Sequence, residues 1–326
     1  MGLHERDDWV NGRGELRILR EENARLKELL TRHSIFWEVP VAPETASVPL
    51  ESPQNRTPLT AGDKIYLFRR LFRGREDVFP KRWESARGTS GYSPACANEW
   101  KPGICDKPRV KCAACARREL MPVTDQVMYD HLAGKQTIGV YPLLTDDSCF
   151  FLAVDFDGSD WREDAGAFMK SCRELGIPAA LEISRSGNGA HAWFFFSENI
   201  PAREARQLGE VLISHTCDRT RQLSLASYDR LFPNQDTLPK GGFGNLIALP
   251  LQKHPRELGR SVFVDERLIP YPDQWGFLAS VSSMTRRDVE DSISRAGGRQ
   301  HLLDVSFASG EENDKPWQSP APVAAK

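Results

Sequence analysis

Phe151-Leu-Ala-Val-Asp-Phe-Asp-Gly158 is the stretch on which the reading of this chain turns. It is apolar except at Asp155 and Asp157, and it ends on a glycine able to start a turn, so it predicts a β-strand. Side chains two apart on a strand share a face. Asp155 and Asp157 therefore point the same way, while Val154 and Phe156 point into the opposite layer. Two carboxylates so close repel each other unless a cation lies between them. Mg²⁺ or Mn²⁺ suits such a pair, being a hard ion that takes carboxylates, waters and phosphates. Two such ions can stabilise both the attacking and the leaving oxygen of a phosphoryl transfer. A strand end with two solvated aspartates has the same local pattern, so the pair needs support from the rest of the chain.

Working outward, Ala165, Phe168, Met169 and Cys172 fall at helical spacing, with Gly176 and Pro178 to stop the helix. Two strands are predicted at 179–185 and 190–196, joined by the tight turn Ser186-Gly-Asn-Gly189. Helices are expected over 202–221 and 286–295, and a further strand over 245–251. The alternation predicts an α+β fold with a mixed or antiparallel sheet over residues 63–300.

The turn belongs to Ser184-Arg-Ser-Gly-Asn-Gly-Ala-His-Ala-Trp193. Glycines let backbone N–H groups approach phosphate oxygens, and Arg185, Ser186 and Asn188 add donors. His191 shares a strand face with Trp193 just past the turn, where it can hold a triphosphate or adjust a nearby proton. An ordinary hairpin with a satisfied histidine fits the same residues, and no P-loop pattern is present. Downstream, Ser227-Tyr-Asp-Arg-Leu-Phe-Pro-Asn-Gln-Asp236 offers Asp229 or Asp236 as a third carboxylate. Asn234, Gln235, Lys240 and Gln252 are candidates to bind a nucleotide or primer phosphates.

Cys96, Cys105, Cys112 and Cys115 lie within twenty residues among Pro, Gly and Lys. The closing Cys-x-x-Cys and two upstream thiols suit a tetrahedral structural Zn²⁺ in a segment with little core of its own. Lys101, Lys107, Arg109, Lys111, Arg117 and Arg118 make that segment a candidate nucleic-acid surface. Cys149, Cys172 and Cys217 sit in apolar or helical runs and are expected as core thiols. Seven cysteines in all, an odd and clustered set, argue against a secreted disulfide framework.

At the N-terminus, 1–37, a short coiled coil is read over 15–33. Leu16, Asn23 and Leu30 fall at a, with Leu19, Leu26 and His33 at d. Glu15 and Glu22 at g, with Arg20 and Lys27 at e, suit a homodimer, and a single amphipathic helix is the alternative. Residues 38–62 are a Pro-rich linker and 301–326 a low-order tail. The formal net charge of -2 decides nothing about nucleic acid, because a local basic groove is enough. No stretch approaches a membrane span and no secretory signal is seen, so a cytoplasmic location is expected.

In this order the segments resemble the archaeo-eukaryotic primase superfamily, nearest to the primase-polymerase module of TOTE conflict systems. The superfamily is marked by a strand Asp-x-Asp, a small-residue turn leading to a histidine, and a later aspartate, here Asp155 and Asp157, 186–191, and Asp229. The likeness to the TOTE module takes in Leu71-Phe-Arg-Gly-Arg-Glu-Asp-Val-Phe79, Gly91-Tyr-Ser-Pro-Ala-Cys96 and His131-Leu-Ala-Gly134. It continues through Phe232-Pro-Asn-Gln-Asp236 to Gly244-Asn-Leu-Ile-Ala-Leu-Pro-Leu-Gln252, covering 63–283. The resemblance implies an RRM-like catalytic sheet and template-directed nucleotidyl transfer on single-stranded or primed DNA from nucleoside triphosphates. Asp155, Asp157 and Asp229 would then be metal ligands, and His191 would contact the incoming nucleotide. The helicase that such relatives carry after this module is expected to come from another polypeptide or to be absent. A metal-dependent nuclease and a non-catalytic zinc-bearing nucleic-acid-binding protein are the rival readings.

Overall fold

The computed structural model describes residues 59–297, apart from Ala86 and 221–226, together with eight residues between 22 and 33. Contacts divide the chain after Pro58, and the two parts are described separately. In the N-terminal part Glu22, Ala24, Arg25, Leu26, Glu28, Leu29 and Arg32 are helical, and Leu26 is exposed. Leu16, Leu19, Asn23 and Leu30 of the coiled-coil register lie outside the described residues, as does the 301–326 tail.

The fold after Pro58 is built on a five-stranded antiparallel sheet. Its strands are β4 (Ser148–Asp157), β5 (Ala180–Ile183), β6 (Gly189–Pro201), β7 (Tyr228–Phe232) and β9 (Val262–Val264). They are numbered after a hairpin, β1 (Pro80–Glu84) with β2 (Ser90–Pro94), and a small sheet of β3 (Gly139–Val140) with β8 (Ile247–Ala248). The order in the main sheet is β7-β4-β6-β5-β9. With α3 (Trp161–Glu174) after β4 and α4 (Ala202–Thr220) after β6, the first four are a split βαββαβ unit, the arrangement of an RRM-like sheet.

β4 is buried from Phe151 to Val154 because both faces are covered along that length. On one side Phe156 meets Phe168 of α3 at 5.3 Å between ring centres, and Phe168 meets Phe194 edge-on at 6.1 Å. On the other side α1 (Ala61–Leu71) lies across the sheet. Phe72, its C-cap, stands edge-on to Trp193 at 5.0 Å and to Phe195 at 5.3 Å. The helix starts on a reciprocal Thr60–Asp63 capping box, at the end of the segment read as linker. This second layer stops short of Asp155, which is only partly buried, and Asp157 is exposed.

α3 ends where its glycine foretold: Gly176 has φ +67°. The strand expected over 245–251 shrinks to Ile247–Ala248, because Pro250 has no N–H to donate and Leu251 turns into the left-handed region at φ +60°. Helix α7 (Arg286–Gly297) packs on α4 through Arg286 and Glu204. Two shorter helices between β8 and α7 are α5 (Lys253–Glu257) and α6 (Gln274–Ser280), and α2 (Asp125–Leu132) precedes β3. Cys149 and Cys172 are core thiols, whereas Cys217 packs only at the edge of the core. No described helix is long and apolar enough to cross a membrane.

Candidate functional site

Where the α1 layer ends, one row of side chains crosses the sheet. Arg230 on β7, Asp155 on β4, His191 on β6 and Glu182 on β5 are successive cross-strand partners. Asp157 shares the Asp155 face, and its Oδ1 accepts the Gly158 N–H at 2.8 Å. Asp229 arrives by a different device. The β4–β7 ladder slips so that Asp155 faces Arg230 and Phe156 faces Tyr228, which leaves one extra residue in β7. Such a bulge re-aims a side chain that strict alternation would send to the other face. Asp229 and Arg230 are ion-paired at 2.6 Å, and both act electrostatically on Asp155. Leu231 instead packs against Gly209 of α4.

Burial pushes the Asp155 carboxyl above the usual carboxylate range; His191 and Arg230 oppose the rise, while Asp229 and Asp157 add to it. His191 is the counterpart. Burial disfavours its charged form, but the bond to Glu182 and the charges of Glu182, Asp155 and Asp157 outweigh that and raise it. Its Nδ1 lies 3.0 Å from Glu182 Oε2 and its Nε2 3.5 Å from Asp155 Oδ1. The longer contact is a charge contact and not a hydrogen bond, which leaves the Nε2 face open to another acceptor.

Glu182 went unnoticed in the sequence. It is 1% exposed, accepts Trp193 Nε1–H at 2.9 Å, and has Ser261 Oγ at 3.4 Å. The available signal was a single carboxylate between Leu181 and Ile183 on an otherwise apolar strand. Ser261 and Leu251, both non-glycine residues at positive φ (55° and 60°), hold the loops behind it.

The Gly-rich turn closes with Ser184 N–H to Gly189 O at 2.9 Å and Gly187 N–H to Ser184 O at 3.0 Å. Ser186 Oγ is used inside the turn, 3.0 Å from Ser184 Oγ and accepting Asn188 N–H at 3.1 Å. Gly187, at φ +79°, has the exposed Arg260 drawn across it, close enough that a Cβ would come within 2.8 Å of Nε. Arg185 reaches Glu84 of the hairpin at 3.6 Å, and its buried Nε has no protein partner. Arg260 is a second cation that sequence reading missed, because it is distant in the chain.

Other expected residues lie elsewhere. β7 runs away from the carboxylates, and Leu238 N–H donates to Asp147 just before β4 begins, at 2.6 Å. That end of β4 is about 25 Å from Asp155 at ~3.3 Å per residue. Gln235, with a buried Oε1 lacking a partner, and exposed Lys240 belong to this loop. Asp236 pairs with Arg206 of α4 at 2.8 Å, so Asp229 is the third acid that the fold brings to Asp155. Gln252 is buried near Ser261, and Asn234 donates its backbone N–H to Asn245. His131 is a core histidine, bonded to Pro250 O and the Ile138 N–H and pushed down by burial to about 4.

Carboxylate donors of this kind fit Mg²⁺ or Mn²⁺. Among the described residues no three His, Cys, Asp or Glu side chains stand in the arrangement of a finished metal site. At the carboxylates, Asp229 is drawn to Arg230 and Asp155 faces His191, so protein cations take the places nearest them. The thiols tell a similar story. Cys96, Cys105, Cys112 and Cys115 are free, partly buried and line one small pocket. Cys96 Sγ accepts Glu119 N–H at 3.3 Å, and Lys107 bonds to Cys112 and to Glu99. The donor set suits zinc, and the neck of the segment is pinned by the Cys96–Leu120 bridge.

The sequence model of the family described as "TOTE conflict system, Archaeo-Eukaryotic Primase domain" matches residues 63–292. No curated protein matches the chain. Among solved structures, the polymerase domain from Mycobacterium tuberculosis ligase D in complex with DNA is similar at 11% identity and a TM-score of 0.35. That similarity covers 75% of this chain and 91% of the other, and is too faint to place residues.

Proposed function

Since this chain belongs to the archaeo-eukaryotic primase domain family of TOTE conflict systems, we propose that it performs template-directed nucleotidyl transfer as a DNA primase or primase-polymerase. The observation that carries the reading is the bulged row, in which Asp155, Asp157 and Asp229 meet beside His191. Asp155, Asp157 and Asp229 would hold two Mg²⁺ or Mn²⁺ ions, which lower the pKa of an attacking hydroxyl and neutralise triphosphate charge.

The rest is done by the chain's own groups. Glu182 anchors Nδ1 of His191, so that Nε2–H is presented at the carboxylates, where it can donate to a phosphate oxygen. Arg185, with a buried Nε lacking a protein partner, and the Ser186–Asn188 turn supply further donors at the same edge of the sheet. Arg260 adds positive charge over Gly187. Gln235 and Lys240 belong, on this reading, to nucleotide or template contacts outside the carboxylate cluster. The cysteine segment, closed by Zn²⁺, would grip single-stranded or primed template with its lysines and arginines.

The test is incorporation of labelled dNTPs or NTPs on primed and unprimed single-stranded templates with Mg²⁺ or Mn²⁺. Extension products are expected from the native chain and only background from Asp155→Ala with Asp157→Ala. Extension that survives the double substitution would sink the proposal. Shortened products would assign a nuclease, and template binding without turnover a binding module.

A further inference from the structure

We propose that Trp83 and Trp100 form a stacking surface for the unpaired bases of a single-stranded nucleic acid, beside the Gly-rich turn. Its place next to that turn matters only if the polymerase reading holds, but the binding itself is tested separately. Charge is the starting observation. Between residues 80 and 120 the chain carries nine Lys and Arg against four Asp and Glu, in a protein whose formal charge is -2. A polyanion is therefore attracted to this segment.

The hairpin has two different faces. Arg82 opposes Tyr92 in the ladder, and both turn toward the site, where Arg82, Arg185 and Glu182 act electrostatically on the Tyr92 hydroxyl. Trp83 opposes Gly91 on the outer face, with Lys81 opposite Ser93 one pair along. The indole lies against Gly91, so close that a Cβ there would come within 2.8 Å of the ring. The ring is held by that contact, yet Trp83 remains 45% exposed.

Trp100 follows Glu99, which is tied to that face of the hairpin. Ser93 donates to Glu99 at 3.4 Å, and Lys107 donates to Glu99 at 2.6 Å, which ties the outer hairpin face to the cysteine segment. Lys107 Nζ is also 5.7 Å from the Trp100 ring centre. Trp100 is 65% exposed and has φ +59°, a conformation that bulky L-residues rarely adopt. Held strain of this kind concentrates where function needs a particular side chain displayed. Two exposed indoles, one packed on Gly91 and one beside Lys107, match the chemistry that binds bases without reading their sequence. Duplex bases are already stacked and offer no free face, so the strand is single.

The experiment measures anisotropy of labelled oligo(dT), the same oligomer with abasic sites, and oligo(U), against the full chain with no Mg²⁺ or Mn²⁺ added and no chelator, so that any zinc stays in place. Trp83→Ala and Trp100→Ala should each weaken oligo(dT) binding about tenfold, and the phenylalanine variants should keep most of the affinity. The abasic oligomer should bind the native chain as weakly as oligo(dT) binds the double alanine variant. Oligo(U) should lose the same factor, since stacking ignores the sugar. Equal binding of abasic and natural oligomers, or alanine variants with native affinity and native melting, would overturn the proposal. Tryptophan-dependent binding without any incorporation would defeat only the polymerase reading. Incorporation with tryptophan-independent binding would defeat only this one.

Discussion

Replacing Glu182 by leucine, and separately by glutamine, tests how the site is held together. The carboxylate is 1% exposed and is the acceptor for two buried donors, His191 Nδ1–H at 3.0 Å and Trp193 Nε1–H at 2.9 Å. Leucine fills the space but leaves both N–H groups without an acceptor, at about 1–3 kcal/mol for each. Because they share one acceptor the costs are not additive, and a total near 3–4 kcal/mol is expected. Glutamine can place its amide oxygen where Oε2 is and turn its NH₂ toward Ser261 Oγ, which lies 3.4 Å from Oε1. It then loses only the charge assistance, about 1 kcal/mol. The assay is urea unfolding with divalent metals chelated, comparing midpoints at unchanged slope. The leucine variant should sit about 2–3 kcal/mol below the glutamine variant. Equal midpoints for the two would refute the claim that acceptor capacity, and not mere volume, is what Glu182 supplies.

Three other outcomes follow from the same geometry. His131 is neutral in the fold because its value drops from 6.5 to about 4, so the unfolded chain binds more protons below pH 6.5. Stability should be full above that pH and fall by up to about 3 kcal/mol as pH drops toward 4, a slope that His131→Gln should flatten in chelated protein. Asp157→Asn removes a charge that helps push Asp155 up, so the metal-free variant should melt a few degrees higher while losing incorporation. The native chain should recover that increment as pH falls through the raised Asp155 value, since protonation relieves the repulsion; a lower melting point for Asp157→Asn would count against the coupling. Metal analysis of chain expressed with zinc should find about one Zn²⁺ per chain, lost together with thermal stability in Cys112→Ser with Cys115→Ser. Zinc-free protein with a native melting curve would dismiss that segment as a metal site.

What could be read in the sequence was whatever repeats at a fixed interval. Asp155 and Asp157 share a face because strands alternate, and the 165–172 spacing marked a helix because helices repeat every 3.6 residues. The hairpin escaped because Pro80-Lys-Arg-Trp-Glu84 is polar at most positions and buries little. Glu182 and Arg260 escaped for another reason. Their meaning lies in partners on other elements, and Arg260 stands over a glycine far from it in the chain. Asp236 looked as good as Asp229 on paper, and only the path of the chain after β7 carries it to Arg206.

The slip between Asp155 and Phe156 in the β4–β7 ladder has a consequence for how this sheet tolerates change. A regular ladder there would be one residue shorter, better hydrogen-bonded and easier to form. Deleting Asp229 should therefore give a chain that folds at least as readily, with Tyr228 and Leu231 still able to meet α4, and no third acid. Conversely, moving the acid to position 228 keeps the composition and sends the carboxylate to the wrong layer. Folding favours mending this defect and chemistry depends on keeping it, so reading frame along β7 matters more than residue identity at any single point on it.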